Sequence, residues 1–364
     1  MTERPLRVLV VDDSVTFRKV VRDVLKDVPN VEVVGFATNG RVAIEKVELI
    51  RPDLLTLDID MPEVDGIGVL RELIGRNHST GVIMLSALTR SGARLTAKAL
   101  ELGAFDFVLK PSRNSLEQNV EELRRELLPK VAAFSAAQRR ATPISPLPTS
   151  STAKPTGVAS CVPEHPRADD APAEIVVIGS STGGPAALSR VVSQLPADFP
   201  LPILIVQHMP PMFTKSMADN LCQVSQLDVR EAADGEFLKP GHVRIAPGGS
   251  QLKLDLGMRL RVTDDPAQRG CKPSVDYLLF SVANACAGKV IAVIMTGVGD
   301  DGALGCTELK RRGATIIAQD RESCVVYGMP RQVVELGLAD VVCPLDDIHR
   351  QIRQRVERGR TLCS

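Results

Sequence analysis

The sequence predicts an α/β protein made of two doubly wound domains. In both halves, short apolar segments alternate with longer amphipathic segments, which is the pattern of parallel β-α units. The length of 364 residues exceeds what one ordinary core holds. Residues 135–173 are rich in Pro, Ser and Ala and lack a hydrophobic period, which predicts a flexible linker. We therefore expect one domain over residues 1–134 and a second over residues 174–364.

The first half predicts five strands that alternate with five helices. The expected strands span residues 7–11, 31–36, 54–57, 82–85 and 107–109. The expected helices span residues 15–28, 40–50, 66–75, 93–102 and 115–133. Strict alternation of this kind favours a parallel sheet with helices on both faces.

The second half repeats the architecture without repeating any motif. Buried-type strands are expected at residues 175–178, 203–206, 290–295 and 314–318. Helices are expected at residues 185–195, 213–224, 274–287 and 303–312. Short apolar segments at 241–246, 252–254 and 260–262 predict a small β-rich insertion in this domain.

Composition excludes several classes of protein. Lys and Arg together number 44, as do Asp and Glu, and only 3% of residues are aromatic, so the sequence disfavours a nucleic-acid partner. No apolar run is long enough to cross a bilayer, and the N-terminus does not read as a signal peptide. Eight cysteines lack C-x-x-C spacing and no H-x-x-x-H pair occurs, which favours reduced thiols without a zinc site. We expect a cytoplasmic protein with no direct membrane insertion.

Acidic residues follow two strands of the first domain. Asp12 and Asp13 follow the first strand, and Asp58 ends the third. Alone, each would be interpreted as a helix cap. Together, at strand ends that can converge, three carboxylates provide the hard oxygen ligands that suit Mg²⁺. Ser86 and Lys110 end the next two strands, so the set predicts a phosphoryl site with Asp58 as the acceptor.

These motifs resemble the response-regulator receiver domain over the whole first domain. The matching segments are Asp12-Asp13-Ser14, Asp58, Met61-Pro62, Asp65-Gly66, Ser86-Ala87 and Lys110-Pro111. The resemblance implies a flavodoxin-like sheet, phosphorylation of Asp58 by a histidine kinase, and Phe107 as the switch aromatic.

A glycine-rich loop follows the first strand of the second domain. Residues 179–183 read Gly-Ser-Ser-Thr-Gly and fit the G-x-S-x-G nucleophile elbow, with Ser181 at its centre. The same loop is also compatible with a phosphate cradle or a plain turn. It does not match G-x-G-x-x-G or a Walker A motif, which disfavours a dinucleotide or nucleotide site.

A histidine and an aspartate follow other strands of the second domain. His208 follows the second strand and Asp301 follows a later one, so the sheet would present both at the edge that carries Ser181. An imidazole activates a serine hydroxyl, and a carboxylate orients the imidazole. The spacing leaves two alternatives open: His208 as an ordinary strand-end histidine, and Asp301 or Asp300 as a helix cap.

The second domain resembles the chemotaxis protein-glutamate methylesterases of the CheB family. The likeness lies in residues 179–184, 207–211, 240–242, 245–248, 273–276, 296–297, 301–302 and 323–330, and it covers both domains in their order. It implies Ser181 as nucleophile, His208 as base and Asp301 as orienting acid. The sequence departs from the family pattern at Val298, at Cys271-Lys272 and at Met212, where Met, His-Arg and Gly are usual.

The resemblance implies a phosphorylation-activated esterase that hydrolyses glutamate methyl esters on chemoreceptor cytoplasmic helices and deamidates receptor glutamines. The esterase reaction needs no cofactor. The unphosphorylated receiver is expected to cover the esterase cleft. Two alternatives are a receptor-binding adaptor with an inactive hydrolase fold, which only Val298 and Cys271 favour, and a DNA-binding regulator, which the balanced charge disfavours.

Overall fold

The N-terminal domain is a five-stranded parallel sheet with helices on both faces. The structure is a computed structural model, which describes residues 4–112, 115–141, 173–287 and 289–361. The strands are β1 Leu6–Val11, β2 Val31–Ala37, β3 Leu54–Asp58, β4 Gly81–Ser86 and β5 Asp106–Leu109. The helices are α1 Val15–Leu25, α2 Gly40–Ile50, α3 Gly66–Gly75, α4 Arg90–Leu102 and α5 Leu116–Ala141. The strand order β2-β1-β3-β4-β5 places the carboxyl ends of β1 and β3 side by side.

Side-chain caps fix where the helices of this domain begin. The side chains of Ser14, Asn39, Asp65 and Thr89 each accept a hydrogen bond from a backbone N–H in the first turn of α1, α2, α3 and α4. Such caps satisfy donors that the helix itself leaves free. Each helix therefore starts directly after a strand-end loop, and the loops are held at one edge of the sheet.

The C-terminal domain is a seven-stranded sheet whose order is β14-β13-β12-β6-β7-β9-β8. All its ladders are parallel. The strands of the sheet are β6 Ile175–Ser180, β7 Ile203–Gln207, β8 Asp228–Glu231, β9 His242–Ile245, β12 Val290–Ile294, β13 Thr315–Gln319 and β14 Val341–Cys343. The helices are α6 Gly184–Val192, α7 Phe213–Val224, α8 Val275–Cys286, α9 Ala303–Arg311, α10 Met329–Glu335 and α11 Leu345–Thr361. The order reverses at β6, and ligand sites of open α/β sheets form at such switch points.

The predicted β-rich insertion is smaller than expected. Only β10 Gln251–Asp255 and β11 Arg259–Thr263 form a separate antiparallel hairpin. The segment at 241–246 instead contributes β9, which pairs in parallel with both β7 and β8 in the main sheet. Val243 and Ile245 are fully buried there, because the strand lies inside the sheet. Short strands at close spacing suggested a local meander, whereas the chain forms β8 at the sheet edge and then returns to form β9 between β8 and β7. The sequence interpretation also missed β8, β14, α10 and α11.

Helix α5 continues beyond the predicted boundary at residue 134. It runs to Ala141, with Pro129 inside it, and its buried residues include Leu127, Val131 and Phe134. The Phe134 ring packs edge-on against Phe105, with ring centroids 5.1 Å apart. Residues 135–141 are therefore helical, and the rest of the predicted linker, residues 142–172, lies outside the described part of the chain.

The two domains pack against each other. Helix α4 of the first domain contacts α6 and α7 of the second. The ring of Phe107, on β5, is stacked on the ring of Phe213, at the start of α7, with centroids 4.8 Å apart and planes within 7° of parallel. Both rings are buried. No helix in the described ranges combines the length and apolarity needed to cross a membrane.

Candidate active site and phosphoryl-acceptor site

Ser181 lies in the tight turn between β6 and α6. The neighbouring Ser180 is fully buried and donates a hydrogen bond of 2.7 Å to Oε1 of Gln207. Gln207 in turn donates from Nε2 to the Ser181 carbonyl at 2.8 Å. Ser180 is thus fixed by a local hydrogen bond, and Ser181 is the serine whose half-buried side chain lines the cleft.

Two glycines make room for this turn. Gly183 has φ +79°, which L side chains rarely adopt, and a Cβ there would lie 2.6 Å from Cβ of Val325. A Cβ on Gly297 would lie 2.8 Å from Cβ of Ser181. The turn that presents Ser181 therefore depends on close backbone approach from the loop after β12.

His208 and Asp301 meet at the same edge of the sheet. Nε2 of His208 lies 2.8 Å from Oδ2 of Asp301, whose side chain is 5% exposed. The other aspartate, Asp300, pairs instead with Arg269 at the surface. Asp301 is therefore the carboxylate that faces the imidazole, and His208 and Ser181 line one cleft.

The start of helix α8 holds the Asp301 carboxylate in place. Ser274 donates from Oγ to Oδ1 at 2.9 Å, and the amides of Asp276 and Val275 donate to Oδ1 and Oδ2 at 3.0 and 2.7 Å. Burial acts to raise the pKa of Asp301, but these bonds and His208 hold it below its usual value. A carboxylate fixed and ionised in this way can orient an imidazole and stabilise its protonated form.

The pKa of His208 is strongly raised. Burial acts to lower it, but the hydrogen bonds with Asp301 and Cys271 raise it to about 9. A ring nitrogen of His208, Sγ of Cys271 and a carboxylate oxygen of Asp301 all lie within 4.8 Å of one another. The chain thus places a thiol beside the imidazole.

The cleft at this edge is closed from one side by the first domain. It has a volume of about 370 Å³ and is lined by Ser181, His208, Cys271 and Val298 together with Asp106 and Lys130 of the N-terminal domain. The expected cover over the site is therefore present.

One polar contact joins the cover to the serine turn. The Thr182 hydroxyl donates to Oδ2 of Asp106, and both side chains are buried. Oδ1 of Asp106 accepts from the Phe107 amide at 2.7 Å and from Nζ of Lys130 at 3.0 Å. Nζ of Lys130 also lies over the Phe107 ring, 5.0 Å from its centroid. The first residue of β5 is therefore bonded to Thr182, the residue next to Ser181.

The acidic residues of the first domain also converge. Oxygens of Asp12, Asp13 and Asp58 lie within 4.8 Å of one another. Nζ of Lys110 lies 2.7 Å from Oδ2 of Asp12 and 2.7 Å from Oδ2 of Asp58. Ser86 is fully buried at the end of β4, where its hydroxyl accepts from Thr96 at 2.9 Å.

Burial dominates the electrostatics of this acidic site. It raises the pKa of Asp58 to about 6, with Lys110 opposing and the charge of Asp12 adding to the shift. Burial also raises the pKa of Asp12. Clustered carboxylates that are costly to ionise fit a divalent cation, and the all-oxygen donor set suits Mg²⁺.

Sequence reasoning missed several residues of the catalytic edge. Gln207 and Ser274 lie in segments that the family likeness includes, but only their hydrogen bonds reveal what they orient. Thr296 donates from Oγ1 to the Thr182 carbonyl at 2.9 Å and ties the loop after β12 to the serine turn. The proximity of Cys271 to His208 had no signal in the sequence beyond the departure from the family pattern.

Comparison with known proteins gives matches along nearly the whole chain. The model of the CheB methylesterase family matches residues 176–352, and that of the response regulator receiver domain matches residues 8–121. A protein-glutamate methylesterase/protein-glutamine glutaminase of Desulfotalea psychrophila is 46% identical, over 97% of this chain and 99% of its own length. One of the same name from Symbiobacterium thermophilum is 44% identical, over 98% of this chain and 99% of its own length.

The catalytic domain also has a solved relative. The crystal structure of the Thermotoga maritima CheB methylesterase catalytic domain is 46% identical, with a TM-score of 0.48, over 51% of this chain and 98% of that chain.

Proposed function

This chain belongs to the CheB methylesterase family and has a response regulator receiver domain, and from that premise we propose that it is a phosphorylation-activated protein-glutamate methylesterase. The substrates are γ-methyl glutamate esters on the cytoplasmic helices of chemoreceptors. The phosphodonor is a chemotaxis histidine kinase, and the protein acts in the cytoplasm during chemotactic adaptation. The observation that supports this most directly is the Asp301–His208 hydrogen bond in the cleft that Ser181 lines.

The catalytic cycle follows from the roles of three side chains. Ser181 attacks the ester carbonyl while His208 takes the hydroxyl proton, and Asp301 holds the imidazole and stabilises its charge. The turn after β6 ends in the N-terminus of α6, whose dipole favours the negative oxygen of the tetrahedral intermediate. His208 returns the proton to the departing methoxide, and methanol leaves. Water then cleaves the acyl-enzyme by the same route, which leaves a free glutamate.

The same site suits the deamidation of receptor glutamine. An amide and an ester pass through the same kind of tetrahedral intermediate, and the difference is that the leaving group is ammonia rather than methanol. The relatives described above are named for both activities.

Regulation depends on the acidic site and on the interface. Asp58 accepts the phosphoryl group, Lys110 and Ser86 bind its oxygens, and Asp12, Asp13 and Asp58 would hold Mg²⁺. The cation would neutralise charge on the phosphoryl oxygens. Phe107 and Asp106 lie on β5, which pairs with β4 and its Ser86. A movement of β4 and β5 on phosphorylation would therefore weaken the contacts of Phe107 with Phe213 and of Asp106 with Thr182, which cover the cleft.

The nucleophile is tested by methanol release from a methylated receptor. Ser181→Ala should abolish release, whereas Ser180→Ala, the matched control, should keep most of it, because Ser180 only bonds Gln207. Equal release by wild type and Ser181→Ala would reject the nucleophile and favour the adaptor alternative.

The acceptor is tested with an acyl-phosphate donor. The donor should raise the rate of wild type and leave Asp58→Ala at its basal rate. Full activation of Asp58→Ala by the donor would reject Asp58 as the phosphorylated residue.

A further inference from the structure

Cys271 lines the catalytic cleft, whereas the other two accessible cysteines of the described ranges, Cys222 and Cys324, are not part of that lining. Cys286, Cys306 and Cys343 are buried in apolar surroundings, which raises the pKa of each thiol. Cys271 is half-exposed, lines the catalytic cleft and lies beside the His208 imidazole. A thiol in such a place is accessible to small solutes.

The groups around Cys271 match the ligands that zinc prefers. A thiol sulfur, an imidazole nitrogen and a carboxylate oxygen lie within 4.8 Å of one another at Cys271, His208 and Asp301. Zn²⁺ binds sulfur and nitrogen at roughly 2.0–2.3 Å, so ligand atoms of a tetrahedral site lie about 3.5 Å apart. The Cys271 sulfur and a His208 ring nitrogen therefore lie within about 1.3 Å of the separation that two zinc ligands need. Soft thiolate and imidazole ligands select Zn²⁺ over Mg²⁺.

The Asp301 carboxylate already holds the His208 imidazole in place. Asp301 accepts from Nε2 of His208 and from the start of α8, which leaves Nδ1 as the ring nitrogen for a cation. Histidines that bind metals usually donate their other ring N–H to such a carboxylate, which fixes the tautomer. The arrangement of Asp301 and His208 is that of a carboxylate–histidine–metal unit with Cys271 as the second ligand.

We propose that Cys271 and His208 form a binding site for Zn²⁺ that reversibly inhibits the esterase. On binding, the Cys271 S–H bond and the Nδ1–H bond of the protonated His208 ring break heterolytically, both protons go to solvent, and the thiolate and Nδ1 each donate a lone pair to the cation. No electron is transferred. The cation occupies the nitrogen lone pair that must accept the Ser181 proton, so hydrolysis stops until a chelator removes it. The inhibitory effect rests on the proposed function, but the binding does not.

Binding is measured directly on the full chain. Zn²⁺ is titrated by calorimetry in excess Mg²⁺, which fills the acidic site around Asp58, and Co²⁺ is titrated by absorption to detect a thiolate-to-cobalt charge-transfer band. Wild type should bind one Zn²⁺ and show the band. Cys271→Ser should weaken binding at least tenfold and lose the band. Cys271→His should retain binding without the band, since imidazole replaces the thiolate.

Controls separate this site from other thiols. Cys161 and His165 lie outside the described residues and also provide a thiol and an imidazole, so Cys161→Ser is the matched control and should bind as wild type does. Loss of binding in Cys161→Ser, or unchanged binding in Cys271→Ser, overturns the proposal.

Methanol release is measured in parallel. Zn²⁺ should inhibit wild type and Cys161→Ser, with full recovery after chelation, and inhibit Cys271→Ser only at concentrations at least tenfold higher. Binding that depends on Cys271 but leaves the rate unchanged overturns the inhibitory role. Absence of methanol release from metal-free wild type, with binding intact, instead rejects the proposed function and leaves the metal site standing.

Discussion

Replacing Thr182 with valine removes one hydroxyl from the contact between the two domains. That hydroxyl donates to Oδ2 of Asp106, while Lys130 and the Phe107 amide bind the other oxygen, Oδ1. Valine keeps the shape of the side chain, so the covered state loses the hydrogen bond and little packing. In the uncovered state, water reaches the Asp106 carboxylate, and the substitution costs nothing there.

The size of the effect follows from the burial of the pair. Thr182 is 5% exposed and Asp106 is 6% exposed, so the carboxylate oxygen cannot find water while the domains are closed. A hydrogen bond to a charged group contributes about 1.5–3 kcal/mol, which shifts the equilibrium between covered and uncovered states by about 10- to 150-fold. The basal rate of unphosphorylated Thr182→Val should rise by that factor, up to the rate of the activated enzyme.

The assay is methanol release with and without a saturating acyl-phosphate donor. The basal rate should rise, whereas the donor-activated rate should stay near that of wild type, because the uncovered site is unchanged. Thr307→Val is the matched control, since Thr307 bonds only the Ala303 carbonyl of its own helix. An unchanged basal rate with a normal activated rate would refute the claim that this contact keeps the cleft covered. A fall in both rates would show instead that Thr182 positions Ser181.

Four further outcomes are expected. Since the pKa of His208 is raised to about 9, the base is neutral only at high pH, so hydrolysis should rise with pH and level off near 9; a plateau near 7 would contradict this. The raised pKa of His208 also stabilises the folded state. This contribution to the free energy of unfolding is complete below pH 6.5, the pKa in the unfolded chain, and is lost as the pH rises through about 9. Urea unfolding at several pH values will measure the change. Asp58 must be ionised to accept a phosphoryl group, and its pKa is about 6, so labelling by acyl phosphate should fall as pH drops below 6, and equal labelling at pH 5 and 8 would contradict that value. Gly297→Ala should reduce kcat at least tenfold, because the new Cβ would lie 2.8 Å from Cβ of Ser181. Circular dichroism should show that the fold is retained. A normal kcat would show that the backbone of the turn shifts to accommodate the Cβ.

The sequence predicts the sheet architecture and the strand-end residues well, because both depend on local patterns. Apolar runs that end in Asp, Ser, His or Gly mark the carboxyl ends of parallel strands, and parallel strands bring those ends to one edge. This is why the sequence alone predicts Asp58 and Ser181 as site residues.

What the sequence did not reveal depends on contacts between distant segments. The position of β9 inside the sheet is decided by pairing with β7 on one side and β8 on the other, which a four-residue run cannot encode. The choice of Asp301 over Asp300 depends on which side chain points inward. The Thr182–Asp106 bond joins residues 76 apart, in separate domains, and neither residue has a pattern that points to the other.

The stacking of Phe107 on Phe213 has a thermodynamic consequence for the receptor. One buried ring belongs at once to β5, the strand that leads to Lys110 of the phosphoryl-acceptor site, and to the face that covers the cleft. If phosphorylation favours the uncovered state by some factor, then whatever binds the uncovered cleft must favour phosphorylation by the same factor, because coupling free energies between two sites are reciprocal. On the proposed function, a receptor helix held in the cleft would therefore act as an effector of the receiver domain and would prolong the active state that its own methyl esters require.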